Sequence, residues 1–252
     1  MIIAFLNEKG GVGKTSLCFN VGWYLAELGK KILFIDLDGQ RANLSFFCNI
    51  KDREDMPCMK DVLMDGMDIN ETIIPVKENI DILPGNVELT EIDKTVKLTS
   101  IIEAIESINT YYDYIFVDVN PTPTRIHVLT MSVADYLVIP MLPDVATLEA
   151  NKGIVETYSI VKESNINPRL KVLGIVFNKF NSRANLSQQV SDVTDQMALQ
   201  LDTAVFNTKI RNNISLSENV GKHIGITEYD PKSNGAIDIV ALTSEILAKA
   251  VR

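Results

Sequence analysis

The chain has 252 residues, 46% of them hydrophobic and 23% charged, with a net charge of −9. That composition is globular, and no window approaches the ~18 uninterrupted apolar residues of a membrane span. An excess of 33 acidic over 24 basic side chains excludes a surface that is a nucleic-acid footprint throughout, while leaving room for a local basic patch.

The chain opens on Met1-Ile2-Ile3-Ala4-Phe5-Leu6, apolar but without a basic leader or cleavage signal, so Ile2–Asn7 is expected to be a buried strand. Thr15–Leu28 carries a helical apolar stripe ended by Gly29, and Ile32–Leu37 is strand-like again. Residues 50–75, rich in Asp and Met, give no clear period and are expected to be an insertion. Further strands are expected at Ile80–Leu83, Tyr114–Val119, Tyr136–Ile139 and Lys171–Phe177, with Pro140 stopping the third of these. Helices are expected at Thr99–Ile108, Thr147–Lys162, Leu186–Gln200 and Ala236–Ala250. This alternation implies a single α/β domain over residues 1–252, with a mostly parallel twisted sheet flanked by helices on both faces. Cys18, Cys48 and Cys58 lack C-x-x-C spacing and are expected to be reduced cysteines of a cytoplasmic protein.

Lys9-Gly10-Gly11-Val12-Gly13-Lys14-Thr15 stands between the first strand and the first helix, where a phosphate loop belongs. Glycines let the backbone turn tightly and aim its amides inward, and the helix start favours anions. Lys14 would reach the β- and γ-phosphates of ATP, and the Thr15 hydroxyl would ligate Mg²⁺. Glu8 occupies the place of the usual first glycine, and Lys9 is an added lysine. Two later strands end in acid: Ile35-Asp36-Leu37-Asp38 and Ile115-Phe116-Val117-Asp118. Carboxyl ends of parallel strands face the ligand, so these carboxylates would converge on the loop. Asp118 suits the Mg²⁺ shell and Asp38 the attacking water, with Asp36 a second candidate for the metal; a helix cap is the alternative for each.

Together with Ile82-Leu83-Pro84-Gly85-Asn86, Lys209-Ile210-Arg211-Asn212 and Glu228-Tyr229-Asp230-Pro231-Lys232-Ser233-Asn234-Gly235-Ala236, these motifs resemble the ParA/MinD deviant Walker A ATPases, and specifically the ParA/Soj branch. The resemblance covers nearly the whole chain. It implies an ATP-bound homodimer in which Lys9 reaches the partner's phosphates in trans. It places Gly10, Gly11, Val12, Gly13, Lys14, Thr15 and Ser16 around the phosphates, and Asn178 and Ile210 around the nucleoside. Arg183 and Arg211 match the branch's DNA-contacting arginines, with a solvated arginine as the alternative for either. Between Lys179 and Lys222 five basic residues stand against four acidic ones, a barely positive balance. A ParB-like centromere-binding partner and a nucleoid-associated, cytoplasmic location complete the implied picture.

The chain departs from the family pattern at Gly39 and Arg41, where D-L-D-P-Q-G is usual, and at Asn120, where D-x-P-P has proline. These departures bear on the hydrolysis rate and switch coupling. Competing readings are a MinD-like membrane-surface ATPase, a ParA-like ATPase positioning a non-DNA cargo, and an iron-sulfur-bridged reductase. The mild final helix and the cysteine spacing argue against the first and last, so no membrane partner is expected.

Overall fold

In the computed structural model all residues are described except 40–41, 51–55, 87–88, 90–95, 123, 145–151, 182–187 and 251–252. Seven strands form one sheet: β1 (Ile2–Phe5), β2 (Ile32–Leu37), β3 (Ile74–Lys77), β4 (Ile80–Leu83), β5 (Tyr114–Val119), β6 (Tyr136–Met141) and β7 (Lys171–Phe177). Helices among the described residues are α1 (Lys14–Glu27), α2 (Asn43–Phe47), α3 (Met59–Asp65), α4 (Ile69–Thr72), α5 (Leu98–Ile108), α6 (Arg125–Val133), α7 (Lys152–Glu163), α8 (Gln188–Gln200), α9 (Ser215–Gly221), α10 (Ile226–Tyr229) and α11 (Asn234–Ala250). The strand order is β3-β4-β2-β5-β1-β6-β7, and every pairing is parallel except β3 with β4.

The strands read as continuous apolar runs because both faces are covered. Alternate residues serve opposite cores: Ile2, Ala4, Leu33, Ile35 and Val117 pack under α5, α6, α7 and α8. Ile3, Phe5, Ile32, Phe34 and Phe116 pack under α1 and α11. The period of two along a strand produces this division. In α5 the buried Ile101, Ile105 and Ile108 recur at the spacing of one helical face. From β1 the chain crosses to β2 on one side, whereas β5 is followed by β6 on the other. The crevice at the carboxyl ends of β1 and β5 is therefore a topological switch point.

One expectation is corrected. β6 runs through Pro140 to Met141. Pro140 follows the last rung to β1, Leu6 N–H to Val138 O at 3.1 Å, so its missing donor ends that ladder, while β6 stays paired with β7 through Ile139, Pro140 and Met141. Its carbonyl accepts from Asn7 Nδ2 at 2.7 Å. Within residues 50–75 the described chain forms α3, α4 and the start of an antiparallel edge strand, β3, which enters β4 through Asn79 at φ 65°. The expected helix starts at Thr147 and Leu186 lie outside the described residues; the described helices begin at Lys152 and Gln188.

The packing of α1 on the sheet turns on Gly22. A β-carbon there would come 2.5 Å from Phe34 Cε1 and 3.2 Å from Phe116 Cδ2. Phe34 also stacks with Phe19 at 6.0 Å and tilts on Phe116 at 6.2 Å, so the rings have no free direction. Gly22→Val is expected to destabilise the fold by about 1–3 kcal/mol through overpacking, lowering the urea midpoint at unchanged m-value.

Candidate active site

The segment after β1 is shaped by its own polar groups. Asn7 Oδ1 accepts the Lys9 N–H at 2.7 Å while its amide holds Pro140, fixing where the loop leaves the sheet. Gly11 and Gly13 take φ of 77° and 96°, the left-handed region. A side chain at Gly13 would also collide with the Asn178 amide. α1 then starts at Lys14 without a side-chain cap, which leaves its first amides for an anion. From the end of β7, Asn178 Nδ2 donates to Val12 O at 2.8 Å and Lys179 Nζ to Gly11 O at 3.1 Å. In a trans peptide the carbonyl and the next amide point oppositely, so the Val12 and Gly13 amides turn away from this pair.

The loop borders a cavity of about 620 Å³, large enough for a nucleotide. Gly10, Gly11, Gly13, Lys14, Thr15 and Ser16 line one end, with Asp38 and Pro121 beside them. Asn178, Lys179, Asn212, Asn213, Leu216 and Val220 line the rest.

Behind the loop lie three carboxylates. Asp36 and Asp118 are register partners on β2 and β5, and Asp38 follows β2. Asp36 is satisfied internally: Oδ2 accepts the Ser45 amide at 2.8 Å and hydroxyl at 2.7 Å, and Oδ1 accepts the Asp38 amide at 3.0 Å. Burial pushes its pKa up to about 6, held back by those Ser45 and Asp38 bonds. Asp118 is different. One oxygen accepts the Thr15 hydroxyl at 2.7 Å, while the other is buried with no partner. Burial first, then the Asp36 charge, raise its pKa to about 8. Lys14, itself buried, is pushed down by desolvation against the opposing pull of Asp118 and Asp38. An orphaned carboxylate oxygen beside a threonine hydroxyl is a hard-oxygen donor set that fits Mg²⁺. Thr15 and Asp118 would hold the ion, which would supply charge neutralisation at the phosphates.

The structure thus brings Gly10, Gly11, Gly13, Lys14, Thr15, Ser16, Asp38 and Asn178 to one cavity, with Val12 buried behind them. Asp36 instead pins the turn carrying Asp38, and both its oxygens are already bonded. Ile210 is fully buried in the α1–α11 core, and its backbone serves Phe177 and Phe180. Lys9 lies at the loop's entrance, its ammonium on Asp144 at 3.0 Å. Arg211 lines the cavity but its guanidinium forks onto Asp238 at 2.6 and 3.0 Å, and its amide donates to the same carboxylate at 2.9 Å. Arg183 and Arg41 lie outside the described residues. Sequence reasoning missed Ser45, Asp144 and Lys179. Only Lys179 had a usable signal, a lysine directly following Asn178 at a strand end.

A glycine loop between strand and helix, a lysine at its end and a threonine–aspartate pair for the metal define a P-loop ATPase. A family model described as an AAA domain matches residues 1–172. The chain is 30% identical to the sporulation initiation inhibitor protein Soj of Bacillus subtilis, over 98% of each chain. It is also 30% identical to the chromosome-partitioning ATPase Soj of Thermus thermophilus, over 98% of this chain and 95% of that one. The septum site-determining protein MinD of Pyrococcus horikoshii, solved with Mg-ADP, superposes with a TM-score of 0.78 at 25% identity, covering 98% of this chain and 96% of that one. The chain belongs to the ParA/Soj branch of the ParA/MinD ATPases.

The raised Asp118 pKa has a definite sign. Between the unfolded carboxylate value near ~4 and about 8, the folded state binds the extra proton, so stability falls as pH rises through that window. Asp118→Asn is therefore expected to raise the melting temperature of nucleotide-free protein at pH 8 by about 3 °C or more, with little gain at pH 4. The same substitution should abolish Mg²⁺-dependent ATP hydrolysis, measured by phosphate release.

Proposed function

We propose that the chain is an ATP-driven partition switch, and the observation that carries this is the full-length relation to Soj combined with Lys9 placed at the rim of a complete phosphate site. In this reading the triphosphate lies on residues 10–16 and the nucleoside extends along Asn178, Lys179, Asn213 and Leu216. Mg²⁺ sits on Thr15 and Asp118, and Asp38 orients the attacking water. Asp36 acts on Asp38 through the turn rather than on the metal. Two ATP-bound protomers pair face to face, and each Lys9 leaves Asp144 for the phosphates of its partner, where negative charge builds during transfer.

The Lys9–Asp144 pair supports such an exchange because its side chains are 29% and 44% exposed. A pair of that kind is worth about 0–1 kcal/mol, so its release is a small barrier to dimerisation. Asp144→Asn is expected to lower the protein concentration at which ATP drives dimerisation by about two- to fivefold, read by analytical ultracentrifugation. An unchanged or higher midpoint would show that Asp144 does not restrain Lys9.

The ATP dimer then binds DNA without sequence preference, and a ParB-like partner stimulates hydrolysis and release. Arg183 is the leading phosphate contact in this reading. Arg211 serves the fold, because DNA could recruit it only by displacing Asp238. The membrane reading gains no support from the last helix, whose Ile239, Leu242, Ile246 and Ala250 are spent in the core. Retention on nonspecific duplex DNA is expected to require ATP, to vanish with ADP or Lys9→Ala, and to weaken steeply with salt. Arg183→Ala should reduce retention about tenfold while leaving dimerisation intact. Dimerisation on ATP without DNA retention would preserve the ATPase and move its cargo elsewhere.

A further inference from the structure

The distal wall of the cavity is α9, which contributes Leu216, Ser217 and Val220. This helix has only seven residues, its first amide held by Asn213 Oδ1 at 2.8 Å, so its place depends chiefly on what it docks on. It is tied to α1 at Asn20, while Trp23 meets Gly225 and Glu228 in the segment that follows α9; Ser16, Asn20 and Trp23 share one stripe of α1 that begins inside the phosphate cradle.

Asn20 and Asn219 meet at the centre of this contact, both fully buried. Asn20 Nδ2 donates to Ser16 O at 2.8 Å, and its Oδ1 accepts from Asn219 Nδ2 at 3.0 Å and from the Ile226 amide at 2.7 Å. Asn219 Nδ2 also donates to Ile224 O at 2.8 Å. Around them the Glu228-Tyr229-Asp230 motif closes the segment. Glu228 accepts from Trp23 Nε1 at 3.0 Å, Tyr229 donates to Glu218 at 3.1 Å, and Asp230 accepts from Ser215 Oγ at 3.0 Å. Gly225 lies flat against the Trp23 indole, leaving no room for a side chain.

The asparagine pair is not there for stability alone. Asn219 Oδ1 is buried without a partner, and a half-satisfied amide is worse for folding than a well-packed apolar residue of the same shape. What the pair does supply is direction, since hydrogen bonds fix both the rotation and the register of α9 where apolar contact alone would permit sliding.

We propose that Asn20 and Asn219 are positioning residues for the nucleoside end of the cavity, tying its distal wall to the helix that holds the phosphates. The inference rests on the nucleoside lying along that wall. Because the tie runs from Ser16 through Asn20 to α9, it sets the distance between the two ends of the ligand. It therefore governs affinity for a whole nucleotide but not for its phosphates alone.

The test compares wild type, Asn219→Leu and Asn219→Ser by calorimetric binding of Mg-ATP, Mg-GTP and Mg-tripolyphosphate, with steady-state ATPase and thermal melting alongside. Wild type should bind ATP tighter than tripolyphosphate and prefer it over GTP. Asn219→Leu should weaken ATP binding about tenfold, erode the preference over GTP, and leave tripolyphosphate within about twofold. KM for ATP should rise by a similar factor while kcat changes by less than about threefold. Asn219→Ser, which keeps a donor, should lie between the two and decides the matter if the leucine variant does not fold. ATP and tripolyphosphate weakening together, or neither weakening, would overturn the proposal. Wild type binding ATP no tighter than tripolyphosphate would instead remove the nucleoside placement itself, and the proposal with it.

Discussion

One lysine and three carboxylates are gathered at the carboxyl ends of β2 and β5, where Lys14, Asp36, Asp38 and Asp118 are all buried. Charge held out of water is expensive unless it is paired or bonded, and here negative groups outnumber positive ones. The fold resolves part of the imbalance by itself. Ser45 and the Asp38 amide satisfy Asp36, and Thr15 satisfies half of Asp118. The remaining Asp118 oxygen and the depressed basicity of Lys14 are what the chain leaves undone. A divalent cation and a polyphosphate supply the missing partners together, one for the carboxylate and one for the lysine and the helix start. Ligand binding at this site thus completes an electrostatic arrangement that the backbone only half closes.

The geometry of the loop follows from a second dependency. Glycines at 11 and 13 permit the left-handed turns, but permission does not choose a conformation. The choice comes from the far edge of the sheet, where Asn178 and Lys179 take the Val12 and Gly11 carbonyls. Their placement in turn rests on β7 pairing with β6 and on Asn178 N–H donating to Met141 O at 2.7 Å. The phosphate loop is therefore built by residues 166 and 168 positions apart: sequence supplies its flexibility near the N-terminus, and tertiary structure supplies its shape.

This division explains what could be read in advance. Continuous apolar runs revealed β1, β2, β4, β5 and β7 because burial on both faces leaves a one-dimensional signature. The loop and the strand-end Asp38 and Asp118 were legible for the same reason, since the motif and the ends of strands are local. Pro140 misled because proline ends only the ladder on the side its N–H would have faced, and β6 continues through its pairing with β7, which sequence does not show. β3 was invisible because its alternation of half-buried and exposed residues runs for only four positions and includes Pro75. Asp36 stood as a candidate for the metal because Ser45, nine residues on, has no mark in sequence as its partner. Ile210 and Arg211 lie beside the cavity in sequence terms, yet one faces the core and the other faces Asp238.

Two of the cations singled out by resemblance, Lys9 and Arg211, end in ion pairs of opposite character. Arg211 meets Asp238 through a planar fork, adds its own backbone amide, and faces a carboxylate only 9% exposed. Removing that arginine would strand a nearly buried charge, which makes the pair a fixture of the contact between α11 and the chain after β7. Lys9 meets Asp144 through a single ammonium in a setting where both side chains keep water. An ammonium on a flexible stem exchanges one oxygen partner for another with little loss, whereas a bidentate guanidinium does not. Exposure and geometry together therefore leave Lys9 the exchangeable cation and Arg211 the fixed one, which is the distribution the proposed switch would need: Lys9 to cross an interface and Arg211 to anchor its scaffold.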